Sequence, residues 1–238
     1  MSANHVMIDF ETMSLNRMPA LLSLSGIKFD ADADSIPADC PRFHKLINLR
    51  STVDLGGDID PDTVMWWLQQ EPEAIKAILE QEEDHKWSVT SVFEAFIAWF
   101  NTEREVATAT RMVNGEQVPL FPAEEKGKFI YSHGADFDIV IAKDYIKELE
   151  LNQPWHYRDQ NDTRTLFRKA TQKVMSDPNF ALRFEPKYGL FDSLTFPWET
   201  LPGEVLPDYG IPKVKHFGLY DCLNQALAVQ RANKILGV

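Results

Sequence analysis

An apolar run, Val6-Met7-Ile8, ends in two carboxylates separated by one residue, Asp9-Phe10-Glu11-Thr12. Residues two apart on a strand project from the same face, so Asp9 and Glu11 stand side by side on an element whose apolar lead-in marks it as buried. Adjacent carboxylates repel unless a cation or a proton intervenes. A hard divalent ion, Mg²⁺ or Mn²⁺, meets that need, because it takes oxygen ligands and leaves positions open for phosphate. An Asp-x-Glu also arises by chance in many chains. Its meaning rests on partners elsewhere in the sequence.

Strand patterns fall at Val6–Phe10, Leu21–Phe29 and His44–Leu49. In the second, the apolar set Leu22 and Leu24 gives way to Ile27 and Phe29 around Gly26, which predicts a bulge there. Asp60 is placed to cap a helix over Asp62–Gln70 that Pro61 opens, and a second helix follows over Glu73–Glu82. Val89, Val92, Phe93, Phe96, Ile97 and Phe100 recur at helical steps, a core-facing stripe. Glu105–Leu120 reads as a peripheral hairpin turning at Asn114-Gly115. A short strand over Phe129–Tyr131 precedes a helix over Ile139–Leu151, and Thr163–Val174 is helical. Pro178, Pro186, Pro197, Pro202, Pro207 and Pro212 exclude long helices and central strands between Ser176 and Lys213. Leu219, Leu223, Ala226, Leu227 and Ile235 mark a C-terminal amphipathic helix. Strands first, then strands alternating with helices, predict a mixed α/β sheet with helices packed on it.

The 238 residues suffice for one well-buried domain, so a single domain over 1–238 is expected, with insertions at about 105–128 and 176–213. No apolar stretch approaches the roughly 20 residues of a membrane span, and no secretory signal is visible. Cys40 and Cys222 lie far apart and read as reduced thiols, which points to a cytoplasmic protein. A net charge of −12 argues against a protein that coats nucleic acid by bulk electrostatics. An enzyme that grips one strand end through metal ions is compatible with it.

Three later features join the opening pair. In Tyr131-Ser132-His133-Gly134-Ala135-Asp136-Phe137-Asp138 a strand passes through a small-residue turn into a helix, where ligand sites of α/β folds gather. Asp136 and Asp138 compete for that position. His216 precedes Asp221 by five residues, a step about 140° out of phase on a regular helix. The two reach one site if His216 lies on the preceding loop or first turn and Asp221 one turn into the helix. Asn161-Asp162-Thr163-Arg164-Thr165 offers Asp162 as a helix cap.

Asp-x-Glu after the first strand, Ala-x-Phe-Asp in mid-chain and His-x₄-Asp on the last helix resemble the three motifs of the DEDDh 3′–5′ exonucleases, DnaQ-like enzymes with a ribonuclease H-like fold. Met7–Met13, Trp66-Trp67 and Asp162–Thr165 look most like the phage exonuclease A (DexA) branch, some bacterial members of which act on RNA. The resemblance runs from Asp9 to about Ala228. It implies a ribonuclease H-like mixed β-sheet flanked by α-helices, and makes Asp9, Glu11, Asp138 and Asp221 ligands of two Mg²⁺ or Mn²⁺ ions. Asp138 is chosen over Asp136 because it follows Phe137, as the family's Asp follows Phe. One departure is Gly134, where many relatives carry Asn two residues before the position of Asp136.

The implied activity is hydrolysis of phosphodiester bonds at the 3′ end of single-stranded nucleic acid, DNA favoured over RNA, with release of nucleoside 5′-monophosphates. Two metal ions roughly 4 Å apart contact both the attacking and the leaving oxygens in such reactions. Asp9 is the bridging ligand in this reading, Glu11 and Asp221 complete one metal, and Asp138 serves the other. His216, whose type titrates near neutrality, is the general base on the attacking water. Thr12, Met13, Trp67 and Lys215 are candidate substrate contacts. Trp66 and Trp67 are each of a type that stacks on a base, but adjacent residues face different ways, so at least one of them is expected in the core. Arg158 and Arg164 are phosphate clamps or structural ion pairs. Three other readings compete: a 3′–5′ exoribonuclease of the same fold, a nucleic-acid-binding module of that fold without catalysis, and a haloacid dehalogenase-type phosphatase. The last needs Asp-x-Asp and gives His216 no task.

Overall fold

A computed structural model describes residues 4–79, 86–102, 110–113, 116–119, 128–134, 136–176 and 207–237. Its centre is a sheet in the order β3-β2-β1-β6-β7, formed by β1 (His5–Thr12), β2 (Leu21–Phe29), β3 (Arg42–Leu46), β6 (Phe129–Ser132) and β7 (Gln160–Asp162). β1, β2 and β3 pair antiparallel, whereas β6 runs parallel to β1 and β7 parallel to β6. This is the expected mixed α/β sheet with helices packed on it.

Alternation along β1 divides the core. Val6, Ile8 and Phe10 enter a cluster with Val92, Phe93, Phe96 and Phe100 of α4 (Val89–Asn101) and Ile139, Ala142 and Tyr145 of α5 (Asp138–Glu148). Met7 enters a second cluster with Phe167 and Ala170 of α6 (Thr163–Ser176) and Cys222, Leu223 and Ala226 of α7 (Gly218–Leu236). Each fully buried Val, Ile, Leu, Met or Phe side chain stabilises the fold by about 1.5–3 kcal/mol. Asp9 and Glu11 share the face of Met7, so α7 covers them.

Several boundaries differ from expectation. β3 ends at Leu46 because Asn48 caps α1 (Leu49–Val53), its side chain accepting from Ser51 N–H at 3.1 Å. α2 spans Pro61–Trp67 with Asp60 as its cap, and α3 spans Pro72–Leu79. The hairpin strands are β4 (Thr110–Val113) and β5 (Glu116–Pro119), paired antiparallel; Asn114-Gly115 lies outside the described residues. So does most of the proline-punctuated stretch, residues 177–206.

The bulge expected at Gly26 is absent. Pairing of β2 with β1 and with β3 is continuous through it, and the irregularity falls between Glu11 and Thr12. The change of apolar register has another cause. On the α7 side β2 carries Ser23 and Ser25 opposite Glu11 and Asp9, and turns apolar only at Ile27 and Phe29. On the other side Leu24 is followed by Gly26, where an added Cβ would meet the Trp99 ring at 3.2 Å.

Candidate active site

The carboxylates gather where the parallel part of the sheet ends. β1 pairs with β6 only over His5–Met7. Beyond that point the Phe10 N–H is satisfied instead by Asp138, whose Oδ1 accepts it at 3.1 Å. Asp138 opens α5 and is 4% exposed, and Glu11 is 7% exposed. Asp136 points away, its side chain 87% exposed and 3.8 Å from Arg164.

α7 brings the remaining groups. His216 precedes the helix at φ 63°, a left-handed conformation uncommon outside glycine, and its N–H donates to Asp221 Oδ2 at 3.1 Å. That bond turns a spacing out of phase on a helix into a shared site. Glu11, His216 and Asp221 each present a ligand atom within 4.8 Å of the others. Gln225, one turn further along α7, directs its amide nitrogen to Asp9 Oδ1 at 3.5 Å.

The electrostatics fit a cation. Burial holds Asp9 well above the usual carboxylate range, and the charges of Glu11, Asp138 and Asp221 add to the effect. Glu11 is raised in the same way, first by burial and then by Asp221 and Asp138. Asp138 is pushed up to about 7 by burial, against the Phe10 N–H and Arg164, which favour its anion. Asp221 is raised to about 6 by burial, against the His216 N–H and Lys215. His216 is lowered to about 4, first by burial and then by Lys215, so its ring is neutral at pH 7. Ser23 Oγ, Gln225 Oε1 and His216 Nε2 are buried with no hydrogen-bond partner. A set of oxygen donors short of positive charge, fringed by orphaned polar atoms, suits hard divalent ions.

The substrate candidates divide. Thr12 is buried, its hydroxyl donating to the Ser14 carbonyl and its own carbonyl accepting from Trp67 Nε1 at 2.9 Å. Met13 packs on the cluster of Leu22, Trp67 and Ile78. Trp67 is 5% exposed, so this residue, expected to touch substrate, is the core member of the tryptophan pair; Trp66 is 42% exposed. Both rings contact His216, with centroids at 4.9 Å for Trp66 and 5.9 Å for Trp67. Lys215, the residue before His216, is exposed. Arg164 lies across Gly134, where a Cβ would meet its guanidinium at 2.9 Å, while Arg158 engages Tyr157 at the opposite end of β7. Asp162 caps α6 as expected, accepting from Thr165 N–H and hydroxyl.

Gly218, Ser25 and His44 were not singled out in the sequence. A Cβ on Gly218 would lie 2.6 Å from Ser25 Oγ and 3.0 Å from Asp9 Oδ2, so only glycine lets α7 start this close to β1 and β2. Ser25 Oγ and His44 Nδ1 share a 2.8 Å hydrogen bond, and the His44 ring packs on Phe217 at 4.8 Å. Burial, aided by Lys45, lowers His44 to about 4. The available signal was a small residue at a helix start and two serines in an otherwise apolar strand.

The chain is 26% identical over 233 residues to an exodeoxyribonuclease of Enterobacteria phage T4, covering 94% of this chain and 87% of that protein. A family model described as the 3′–5′ exoribonuclease Rv2179c-like domain matches residues 4–190, which include Asp9, Glu11 and Asp138. The chain thus belongs to the 3′–5′ exoribonuclease Rv2179c-like domain family and is a DnaQ-like 3′–5′ exonuclease.

Proposed function

We propose that this exonuclease releases nucleoside 5′-monophosphates one at a time from the 3′ end of single-stranded nucleic acid, with DNA the preferred substrate. In this reading residues 1–238 form one exonuclease domain. Asp9, Glu11, Asp138 and Asp221 hold two Mg²⁺ or Mn²⁺ ions, and His216 is the general base. The observation that carries it is the convergence of four carboxylates from β1, α5 and α7 with an unpartnered histidine nitrogen beside them.

When bound, the ions would supply Lewis-acid chemistry to the scissile phosphodiester. The four carboxylates would hold them and, so paired, would stay ionised. His216 accepts the proton of the attacking water. Its ring, neutral at pH 7, is ready to do so, and such assistance contributes about 10²–10⁴ in rate. Trp66 offers an exposed aromatic face to a base next to the scissile bond. Lys215 and Arg164 supply cationic groups for phosphate in an otherwise acidic protein.

Support for DNA comes from the phage T4 relative, whose similarity extends over 94% of the chain. The family description names RNA, but its match ends at residue 190, before His216 and Asp221. The test is a comparison of DNA and RNA single strands of one sequence, 3′-labelled, with Mn²⁺ present. Faster release from the DNA is expected; a kcat/KM larger for RNA reverses the preference, and no release from either strand refutes the reading.

A further inference from the structure

His216 sits on an irregular stretch ahead of α7, with a backbone conformation that side chains other than glycine rarely adopt. Its backbone is fixed by the N–H bond to Asp221, but that bond leaves the side-chain torsions free. The ring meets Trp66 at an interplanar angle of 79° and Trp67 at 74°, and the two indoles meet each other at 5.1 Å and 76°. Edge-to-face contacts of this kind are favourable and directional. The imidazole therefore lies in a socket with two aromatic walls.

The walls are not equivalent. Trp66 is on the surface, whereas Trp67 is immobilised by its neighbours. Its indole N–H donates to the Thr12 carbonyl at 2.9 Å, one residue beyond Glu11. α2 is itself tied to the same strand end, since Asp60 N–H donates to the Met13 carbonyl at 2.9 Å and the Asp60 carboxylate caps Thr63. The path from Glu11 through Thr12 and Trp67 to His216 is thus short and packed. It connects the carboxylate pair of β1 to a histidine delivered from the far end of the chain.

We propose that Trp67 is a positioning residue for His216: its anchored indole transmits the placement of β1 to the imidazole and holds that ring beside Glu11 and Asp221. The proposal rests on the reading of His216 as general base. Trp67 touches neither substrate nor the reacting atoms in this role, which separates it from Trp66.

The experiment uses the full chain, a 3′-labelled single-stranded DNA and Mn²⁺, with W67L, W67F, H216A and the double variant W67L/H216A. Leucine refills the core without an aromatic face; phenylalanine keeps a ring. W67L is expected to lower kcat by about tenfold to a hundredfold, the scale of a small misplacement of a catalytic group, with KM little changed. W67F, which keeps a ring but not the N–H bond to Thr12, should recover part of kcat, and W67L should cause no further loss in the H216A background, because the two residues act as one unit. An increase in KM at unchanged kcat would make Trp67 a substrate contact and overturn the proposal. An equal loss in the H216A background would also overturn it.

Histidine NMR supplies a readout independent of turnover. The His216 ring signal, assigned by its disappearance in H216A, should move in W67L as the ring current of Trp67 is lost and should stay nearer its original position in W67F. A His216 signal unmoved in W67L removes the contact on which the proposal depends. Full activity of H216A would instead refute the general-base reading, while the NMR result still decides whether Trp67 holds the ring.

Discussion

The backbone N–H of His216 donates to the carboxylate of Asp221 across 3.1 Å, although the two are five residues apart and out of phase on any regular helix. The left-handed backbone of His216 makes this possible by folding the residue back over the first turn of α7. One end of one helix thereby contributes both a carboxylate and an imidazole to the site that β1 prepares.

Single isosteric neutralisations, D9N, E11Q, D138N and D221N, should each abolish most Mg²⁺- or Mn²⁺-dependent hydrolysis. H216Q should lower kcat by about 10²–10⁴, the range for loss of a general base. D136N should change kcat little, because Asp136 is exposed and faces Arg164. Steady-state kinetics on one labelled oligonucleotide checks all six variants, and a D136N loss equal to that of D138N would displace Asp138 from its role.

The metal-free protein should be destabilised by its own carboxylates as pH rises. Asp138 titrates at about 7 when folded, against about 3.9 in an unfolded chain, so between those values the folded state binds the extra proton. Stability relative to D138N therefore falls as pH climbs from about 4 to about 7, on the order of a few kcal/mol, and Asp9 and Glu11, which the charge of Asp138 helps to raise, extend the fall to higher pH. Asp221 acts in the same direction up to about 6. His44 and His216, lowered to about 4, act oppositely below their ordinary range, which is why the difference from D138N is the quantity to measure. Thermal unfolding in chelator over this pH range, repeated with Mn²⁺, should show the deficit and its removal by the ion.

Glycine at 218 should be required for the site rather than for the fold alone. G218A places a methyl group against Ser25 Oγ and Asp9 Oδ2, so α7 must retreat. Overpacking of this sort costs about 1–3 kcal/mol. The expected outcome is weaker Mn²⁺ binding by calorimetry together with lower kcat. Unchanged metal affinity in a folded G218A protein would remove the close approach of α7 from the account.

Trp66 should act on binding. Its exposed ring is available to a base, and loss of base stacking costs about 1–3 kcal/mol. W66A is therefore expected to raise KM for a single-stranded oligonucleotide by roughly fivefold or more. A kcat loss at constant KM would assign Trp66 to the support of His216 instead.

Much of the sheet was legible because its strands and helices obey simple periodicity. Leu21–Phe29 matches β2 at both ends, and the stripe of Val92, Phe93, Phe96 and Phe100 is the face by which α4 meets the sheet. Gly26 shows where periodicity misleads. The sequence presents a change of apolar register, which on one strand reads as a bulge, but β2 is covered on both faces and the change is one of chemistry. Ser23 and Ser25 are polar because they lie against Glu11 and Asp9, a fact that only pairing reveals. Trp67 shows the same limit, since two adjacent tryptophans are equivalent in sequence until one is buried and bonded to Thr12.

By itself the sequence determined which residues are available: carboxylates at one-residue separation on a buried strand, an Asp at a strand-to-helix turn, and a His ahead of a helical Asp. Periodicity and charge are local, so they survive in a linear reading. Tertiary structure alone decided that Asp138 replaces a missing strand partner at Phe10, that Gly218 admits α7 to Asp9, and that Trp67 stands behind His216. Those relationships join residues distant along the chain, and their energies depend on approach distances and burial, which exist only once the sheet and α7 have closed on each other.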